Sequence, residues 1–353
     1  MKKLGLLNFR NYQRSLFCPE QGINFLIGAN AQGKTNLLEA VLMVMWGRPW
    51  RGVQESYLVN RSAAGGGVKA EIHRDGGDDV VEVRLTREQR KLRVNGQEAG
   101  CGQLPGPAAL SVFTPADLLL VQGSPQERRR FVDSEVAALN HSYAGLWRRY
   151  QRALWQKSKA LSAQRGRGPE VGVWDEQLAF YGARIQVLRN RWLKPFGGAA
   201  RDLYREISGG GELTLDLTRS FAGADGEDEC EVEKGFAAAL AEESAQMTGG
   251  VTVGPHRDDL QLAVGGMNSR YTSSQGEQRT VVLALRLAGH RLRRQELAED
   301  PVLLLDDAFY ELDRGRQERL LGVLSGGGQV LATAGSAPGE GRVFRIEGGS
   351  ISG

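Results

Sequence analysis

The stretch GANAQGKT, residues 28–35, decides the fold. Its residues Gly28, Ala29, Asn30, Ala31, Gln32, Gly33, Lys34 and Thr35 satisfy G-x-x-x-x-G-K-[ST] in full. The motif carries chemistry only between a strand and a helix, and both flanks are present. Ile23 to Ile27 form an apolar run before it, and Leu37, Leu38, Val41 and Leu42 recur at helical spacing after it. In that setting glycine lets backbone N–H groups wrap a string of phosphates. Lys34 reaches the outer phosphates and the Thr35 hydroxyl is placed to ligate Mg²⁺.

A loop of this kind needs a carboxylate partner, and PVLLLDD supplies one. Four successive apolar residues, Val302 to Leu305, predict a strand buried on both faces, and it ends at Asp306 and Asp307. Carboxylates at the carboxyl end of such a strand can hold Mg²⁺ and align water. Asp306 is therefore assigned to the metal and Asp307 to water. Just upstream, Ser273, Ser274, Gln275, Gly276 and Glu277 lead into an apolar helical segment, Val281, Val282, Leu285 and Ala288. A helix N-terminus offers free N–H groups and the positive end of a dipole to an anion, and Ser274 also suits a plain cap.

Length and composition bound the rest. The 353 residues suggest two lobes, and 41% hydrophobic content is ample for a core. Asn8, Arg10 and Asn11 interrupt the first apolar run, and no window approaches ~18 uncharged apolar residues, so a soluble, cytoplasmic protein with no membrane partner is expected. Cys18, Cys101 and Cys230 are odd in number and far apart, which predicts buried thiols rather than disulfides. The four histidines show no zinc-ligand spacing.

The formal net charge is only +3, but from residue 121 to 207 there are 16 lysines and arginines against 8 acids, leaving −5 for the remainder. This basic segment is helical in pattern: two long helices are predicted, broken at RGRGPE, residues 165–170. Strand-like segments flank it on both sides. The domain reading is an ATPase lobe in two parts, 1–120 and 246–353, with a helical, basic lobe inserted at 121–245. Within the insert, Arg128, Arg129, Arg130, Arg148, Arg149 and Arg152 could track a DNA backbone, or some could pair internally with Asp133 or Glu135. The interleaved aromatics, Trp155 among them, read mainly as core. GPHRDDL, residues 254–260, reads as a salt-bridged loop, and the acidic run 227–233 as a solvated loop.

About 270 residues separate the phosphate loop from its carboxylates. That distance, with helices inserted between strand-rich halves, resembles the ABC-type ATPases of the chromosome-maintenance and recombination group. The strings NFRNY, GANAQGKTNLLEA, FTPADLLLVQGSPQERRRFVD, GPHRDDL, SSQGEQR and LLLDDAFYELD follow in the order found in the RecF family of bacterial recombination mediators, across nearly the whole chain. Tyr310 departs from the family's usual Ser or Ala.

The resemblance implies an α/β fold: an ABC-type P-loop ATPase lobe with mixed and antiparallel sheets plus an inserted mostly helical lobe. It implies ATP and Mg²⁺ as cofactors, with Asp307, Lys34 and Ser274 as the catalytic set. Ser274, Gln275 and Gly276 would face the γ-phosphate of ATP bound to a second copy, giving an ATP-dependent homodimer. Thr333 falls near a switch position that is histidine in many ABC ATPases, which fits slow, DNA-stimulated hydrolysis. The implied substrate is double-stranded DNA, gapped or at single-strand junctions. The implied role is recombinase loading and replication restart with RecR and RecO. The rival expectations are a nucleotide-gated scaffold with negligible hydrolysis and a transporter ATPase subunit.

Overall fold

The computed structural model describes residues 1–49, 54–74, 76–164, 169–245, 250–297 and 300–353. They form two compact units, one of 1–117, 203–210 and 274–353, the other of 118–202 and 211–273.

The first unit holds two six-stranded sheets. One is antiparallel, in the order β2 (Tyr12–Phe17), β1 (Lys3–Phe9), β4 (Gly65–Arg74), β5 (Gly77–Thr86), β6 (Arg90–Val94), β7 (Gln97–Glu98). The other runs β15 (Ser350–Ser352), β14 (Arg342–Glu347), β3 (Gly22–Ile27), β13 (Gln329–Ala334), β12 (Val302–Leu305), β8 (Leu110–Phe113). All its pairings are parallel except β14 with β15. Helix α1 (Lys34–Trp46) explains how the sheets share one core. From Leu37 to Met45 every residue is buried, an all-round burial expected of a helix covered on both sides. It packs with Leu4, Leu6, Val68 and Val83 of the antiparallel sheet and with Leu26, Leu304 and Leu331 of the parallel one.

Strand β12 is buried at all four positions, as its sequence predicts. In the register Leu305 lies opposite Ala332, and Thr333 opposite Leu26. The carboxyl ends of β3, β13 and β12 therefore stand side by side, the arrangement in which α/β sheets place ligands. Strand β8 is not predicted by the sequence pattern: unlike β12, of the same length, its four residues are interrupted by Ser111 and form no continuous apolar run.

The second unit contains α2 (Leu119–Gln122), α3 (Pro125–Leu139), α4 (Tyr143–Gln164), α6 (Glu229–Ala245), α7 (Ser269–Thr272) and most of α5 (Pro169–Ser208). Its sheet is β11 (Met267–Asn268), β10 (Asp259–Val264), β9 (Leu213–Thr218), fully antiparallel. Two expectations need correction here. The first long helix is really α3 and α4, because the Asn140 side chain accepts from the Ser142 N–H and hydroxyl, a local turn that outcompetes helix continuation. The insert extends to residue 273, not 245, because β10 pairs with β9 and carries β11 on its other edge.

Part of the acidic run is also helix rather than loop. Asp228 accepts from Glu231 N–H, and Glu229 and Glu231 occupy the first turn of α6, where the helix dipole favours negative charge. All three cysteines are exposed, against expectation. Arg165 and Arg167, at the predicted break between the two long helices, lie outside the described residues. Among the described residues no helix is long and apolar enough to cross a membrane.

Candidate nucleotide site

The phosphate loop is shaped by left-handed backbone. Gly28 has φ 154°, Ala31 64° and Gly33 117°. Glycine is required at two of these for space as well: a Cβ on Gly28 would sit 2.3 Å from the Ile346 carbonyl oxygen, and one on Gly33 2.6 Å from the Asn11 side chain. The Lys34 ammonium is buried and donates to the Gly28 and Ala29 carbonyls at 2.6 and 2.9 Å. It therefore lies at the centre of the loop, where phosphate oxygens would be stronger acceptors than neutral carbonyls.

Two motifs 271 residues apart meet beside it. The Thr35 hydroxyl lies 2.9 and 3.1 Å from the two oxygens of Asp306, which is 3% exposed. Thr333 on β13 stands between the acids: its hydroxyl donates to Asp306 Oδ1 at 2.9 Å and accepts from Asp307 N–H at 2.8 Å. Asp307 is exposed and has φ 51°, a conformation costly for a non-glycine residue unless its surroundings hold it. Thr333 is one such restraint; the Arg279 guanidinium, donating to the Asp307 carbonyl at 2.6 Å, is another, and the Tyr310 N–H donates to the same carbonyl at 3.2 Å.

Arg279 is buried on α8 (Gln275–Glu296) and also pairs with Glu311. It fastens the helix that begins at Ser274 to the segment after β12. Ser274 is the N-cap of α8: its hydroxyl accepts from Glu277 N–H, and the Glu277 carboxylate accepts from Ser274 N–H. Ser274 and Gln275 are exposed, while a Cβ on Gly276 would sit 3.0 Å from Arg316. Tyr310 is exposed and lies beneath Arg279, 5.7 Å from guanidinium carbon to ring centre.

The NFRNY string proves to be the loop's support, a role the residue types did not announce. Asn11 donates to the Gln32 carbonyl at 2.8 Å and Tyr12 to the Gly33 carbonyl at 2.9 Å; Asn36 donates to Asn11. Burial pushes the Tyr12 phenol up, so it remains a donor. Arg10 pairs with the nearly buried Glu39 at 2.7 Å and donates to the Tyr57 carbonyl. A cavity of about 730 Å³ opens against this support, lined by Arg10, Asn11, Asn36, Tyr57, Asn60, Arg61 and Arg87 among others.

The arginines of the second unit divide sharply. Arg128 is buried, with a bidentate pair to Asp259 at 2.7 and 2.8 Å, which removes it from any set available to DNA. Its partner is Asp259 rather than the expected Asp133 or Glu135. Arg129 donates to the Asp258 carbonyl, and burial lowers its pKa. Arg130, Arg148, Arg149 and Arg152 are exposed. Asp133 and Asp258 instead clamp Arg189, which is 1% exposed. Burial pulls that guanidinium's pKa down, but Tyr143, Asp133 and Asp258 outweigh it and the net shift is upward. GPHRDDL is thus salt-bridged, with His256 bonded to Tyr150 at 2.6 Å.

Known proteins resemble this chain along nearly its whole length. The family model for the RecF/RecN/SMC N terminal domain matches residues 1–335. The DNA replication and repair protein RecF of Pelotomaculum thermopropionicum is 36% identical over 365 residues, covering all of both chains. That of Geobacillus thermodenitrificans is 32% identical, covering 100% of this chain and 99% of the relative. Among solved structures, the recombination mediator protein RecF with ATP, from the RecFOR pathway, superposes with TM-score 0.82 at 29% identity, over 99% of this chain and 96% of that one. An Smc head domain from Pyrococcus furiosus shares the fold at TM-score 0.62 and 15% identity.

Proposed function

This chain belongs to the RecF family of DNA replication and repair proteins, within the ABC-type ATPases, and from that premise we propose that it is an ATP-gated DNA clamp whose two copies close on ATP and open on hydrolysis. The observation that carries the reading is the bond between Thr35 and Asp306 across 271 residues. A hydroxyl and a carboxylate beside a phosphate loop form an all-oxygen donor set, which suits Mg²⁺. The glycines let the loop curve tightly against Ile346 and Asn11, where any Cβ would intrude, and that curvature is what turns backbone N–H groups toward phosphate.

Each residue then has a task. The loop N–H groups and Lys34 bind the phosphates, and Thr35 and Asp306 would hold the metal. Bound Mg-ATP supplies the phosphoryl group and the charge that these residues neutralise. Asp307 orients the attacking water and accepts its proton, held for that work by Thr333 and Arg279. The cavity lined by Arg10, Tyr57 and Arg61 takes the nucleoside end. Ser274, Gln275 and Gly276 are offered to the γ-phosphate held by a second copy, because they lie at the positive end of a 22-residue helix, with Ser274 and Gln275 exposed.

DNA contact falls to Arg130, Arg148, Arg149 and Arg152, which touch phosphate and not base, so duplex and gapped DNA are bound with little sequence preference. RecR and RecO are the proposed partners in loading recombinase at gaps and restarting replication. A transporter subunit is set aside by the family assignment.

The test is solution mass with and without ATP, together with phosphate release on duplex DNA. Wild type should dimerise only with ATP and release phosphate slowly, faster with DNA; Lys34→Met should do neither while staying folded. A wild type of equal mass in both conditions overturns the gating. Phosphate release at the Lys34→Met level would leave a nucleotide-gated scaffold.

A further inference from the structure

The aromatics of the second unit separate by exposure. Tyr150 and Trp192 are buried, whereas Trp155 is 59% exposed, an unusual position for an indole. It lies on α4, which carries Arg148, Arg149, Arg152, Lys157 and Lys159 and no acidic residue in its 22 positions.

Lys157 is turned inward to Asp175 at 2.6 Å. Arg148, Arg152, Trp155 and Lys159 are all exposed and follow each other at spacings of four, three and four, so they form one stripe along the helix. Among the described residues none of these three cations has a carboxylate partner. The Lys159 ammonium lies 5.1 Å from the centre of the Trp155 ring, so a cation stands beside an indole that remains largely exposed to a flat ligand.

We propose that the Arg148–Arg152–Trp155–Lys159 stripe binds an unpaired stretch of nucleic acid, its indole stacked on a base and its cations on the flanking phosphates. The proposal rests on the reading that exposed arginines of this unit contact DNA, and it adds the class of DNA they select. From Arg148 to Lys159 the stripe spans about 16 Å at ~1.5 Å per residue. That is about five nucleotide steps at ~3.4 Å along one strand. Stacked bases in duplex DNA present no open face to an indole, whereas every unpaired base does. Charge decides against a protein as the occupant: a helix with four exposed cations and no acid complements a polyanion.

The experiment measures binding of the full chain to a blunt duplex, the same duplex with a single-stranded gap, and a single strand carrying 2-aminopurine. Trp155→Ala should weaken the gapped and single-stranded substrates by roughly five- to a hundred-fold and leave the blunt duplex unchanged. Trp155→Phe should keep most of the affinity and the quenching of 2-aminopurine. Equal weakening on all three substrates, or on none, overturns the stacking. Arg148→Glu with Arg152→Glu separates the two levels. If that pair weakens every substrate while Trp155→Ala is silent, only the stacking fails; if it changes nothing, the DNA reading of this face fails too. Unchanged DNA affinity with lost binding to a protein partner overturns the proposal in favour of a docking face.

Discussion

The two units use the same side chains to opposite ends. In the second, Asp133, Tyr143, Asp258 and the Pro255 carbonyl close around Arg189: every nitrogen of the buried guanidinium has an oxygen partner. In the first, Lys34, Thr35, Asp306 and Asp307 are only partly satisfied by protein. Lys34 donates to neutral carbonyls, and Asp307 is held exposed in a left-handed conformation. A closed network is architecture; an open one beside a phosphate cradle is chemistry. A motif such as HRDD cannot distinguish them, because the distinction lies in what each atom already touches.

The strongest way to break that contrast is to empty each network of its cation. Arg189→Leu leaves Asp258, fully buried, and Asp133 without their partner, and should cost about 3–5 kcal/mol of stability. Urea unfolding would measure it. Lys34→Met should instead leave the unfolding midpoint close to wild type and remove ATP binding. Similar stability losses in both variants would erase the distinction.

Acid tests whether the histidines of both units belong to closed architecture. Burial holds His256, in the second unit, and His290, in the first, down at about 4. Between pH 6.5 and 4 the unfolded chain binds more protons at these sites, so their stability is present above 6.5 and lost as the pH falls toward 4. The loss should reach up to about 3 kcal/mol for each. His290→Gln should flatten the acid limb of a stability-against-pH curve; an unchanged slope would show that the imidazole takes up its proton without penalty.

Legibility followed the same divide. The phosphate loop, β12 and the order of the sheet-forming segments were readable, because each rests on local chemistry: glycines at fixed spacing, four apolar residues in a row, alternation between turns. The extent of the insert was not, since it depends on β9 pairing with β10 some forty residues later. Nor was the fate of Arg128, whose partner Asp259 is 131 residues away. Asn11, Tyr12 and Arg279 support the site through backbone carbonyls, which any sequence offers and no motif marks. Ser274 was legible as a cap, and its capping box with Glu277 is formed.

Thr333 probes the boundary between closed and open. Valine keeps its shape but removes the donor to Asp306 and the acceptor for Asp307 N–H, at a cost of about 1–3 kcal/mol. ATP affinity should be nearly retained, since the loop and Lys34 are untouched. Turnover should fall by roughly a hundredfold, because a small displacement of Asp307 misplaces the attacking water. A variant with normal turnover would mean that the bonds to the Asp307 carbonyl, from Arg279 and the Tyr310 N–H, set its backbone without Thr333.

The smallest expected stability change makes the finest distinction, because Ser274 belongs to both categories at once. Its hydroxyl is closed within its own chain, accepting from Glu277 N–H, and its loss in Ser274→Ala should cost about 1 kcal/mol. The same oxygen is exposed at a helix N-terminus and remains able to donate a proton, since capping uses only its lone pair. Capping therefore aims the hydroxyl without consuming it. If that donor meets a second copy's γ-phosphate, Ser274→Arg should abolish ATP-driven dimerisation while the monomer unfolds at nearly the midpoint of Ser274→Ala. If capping is its whole role, both variants should lose the same small stability and still dimerise on ATP, and the start of α8 would be closed architecture of the kind seen around Arg189.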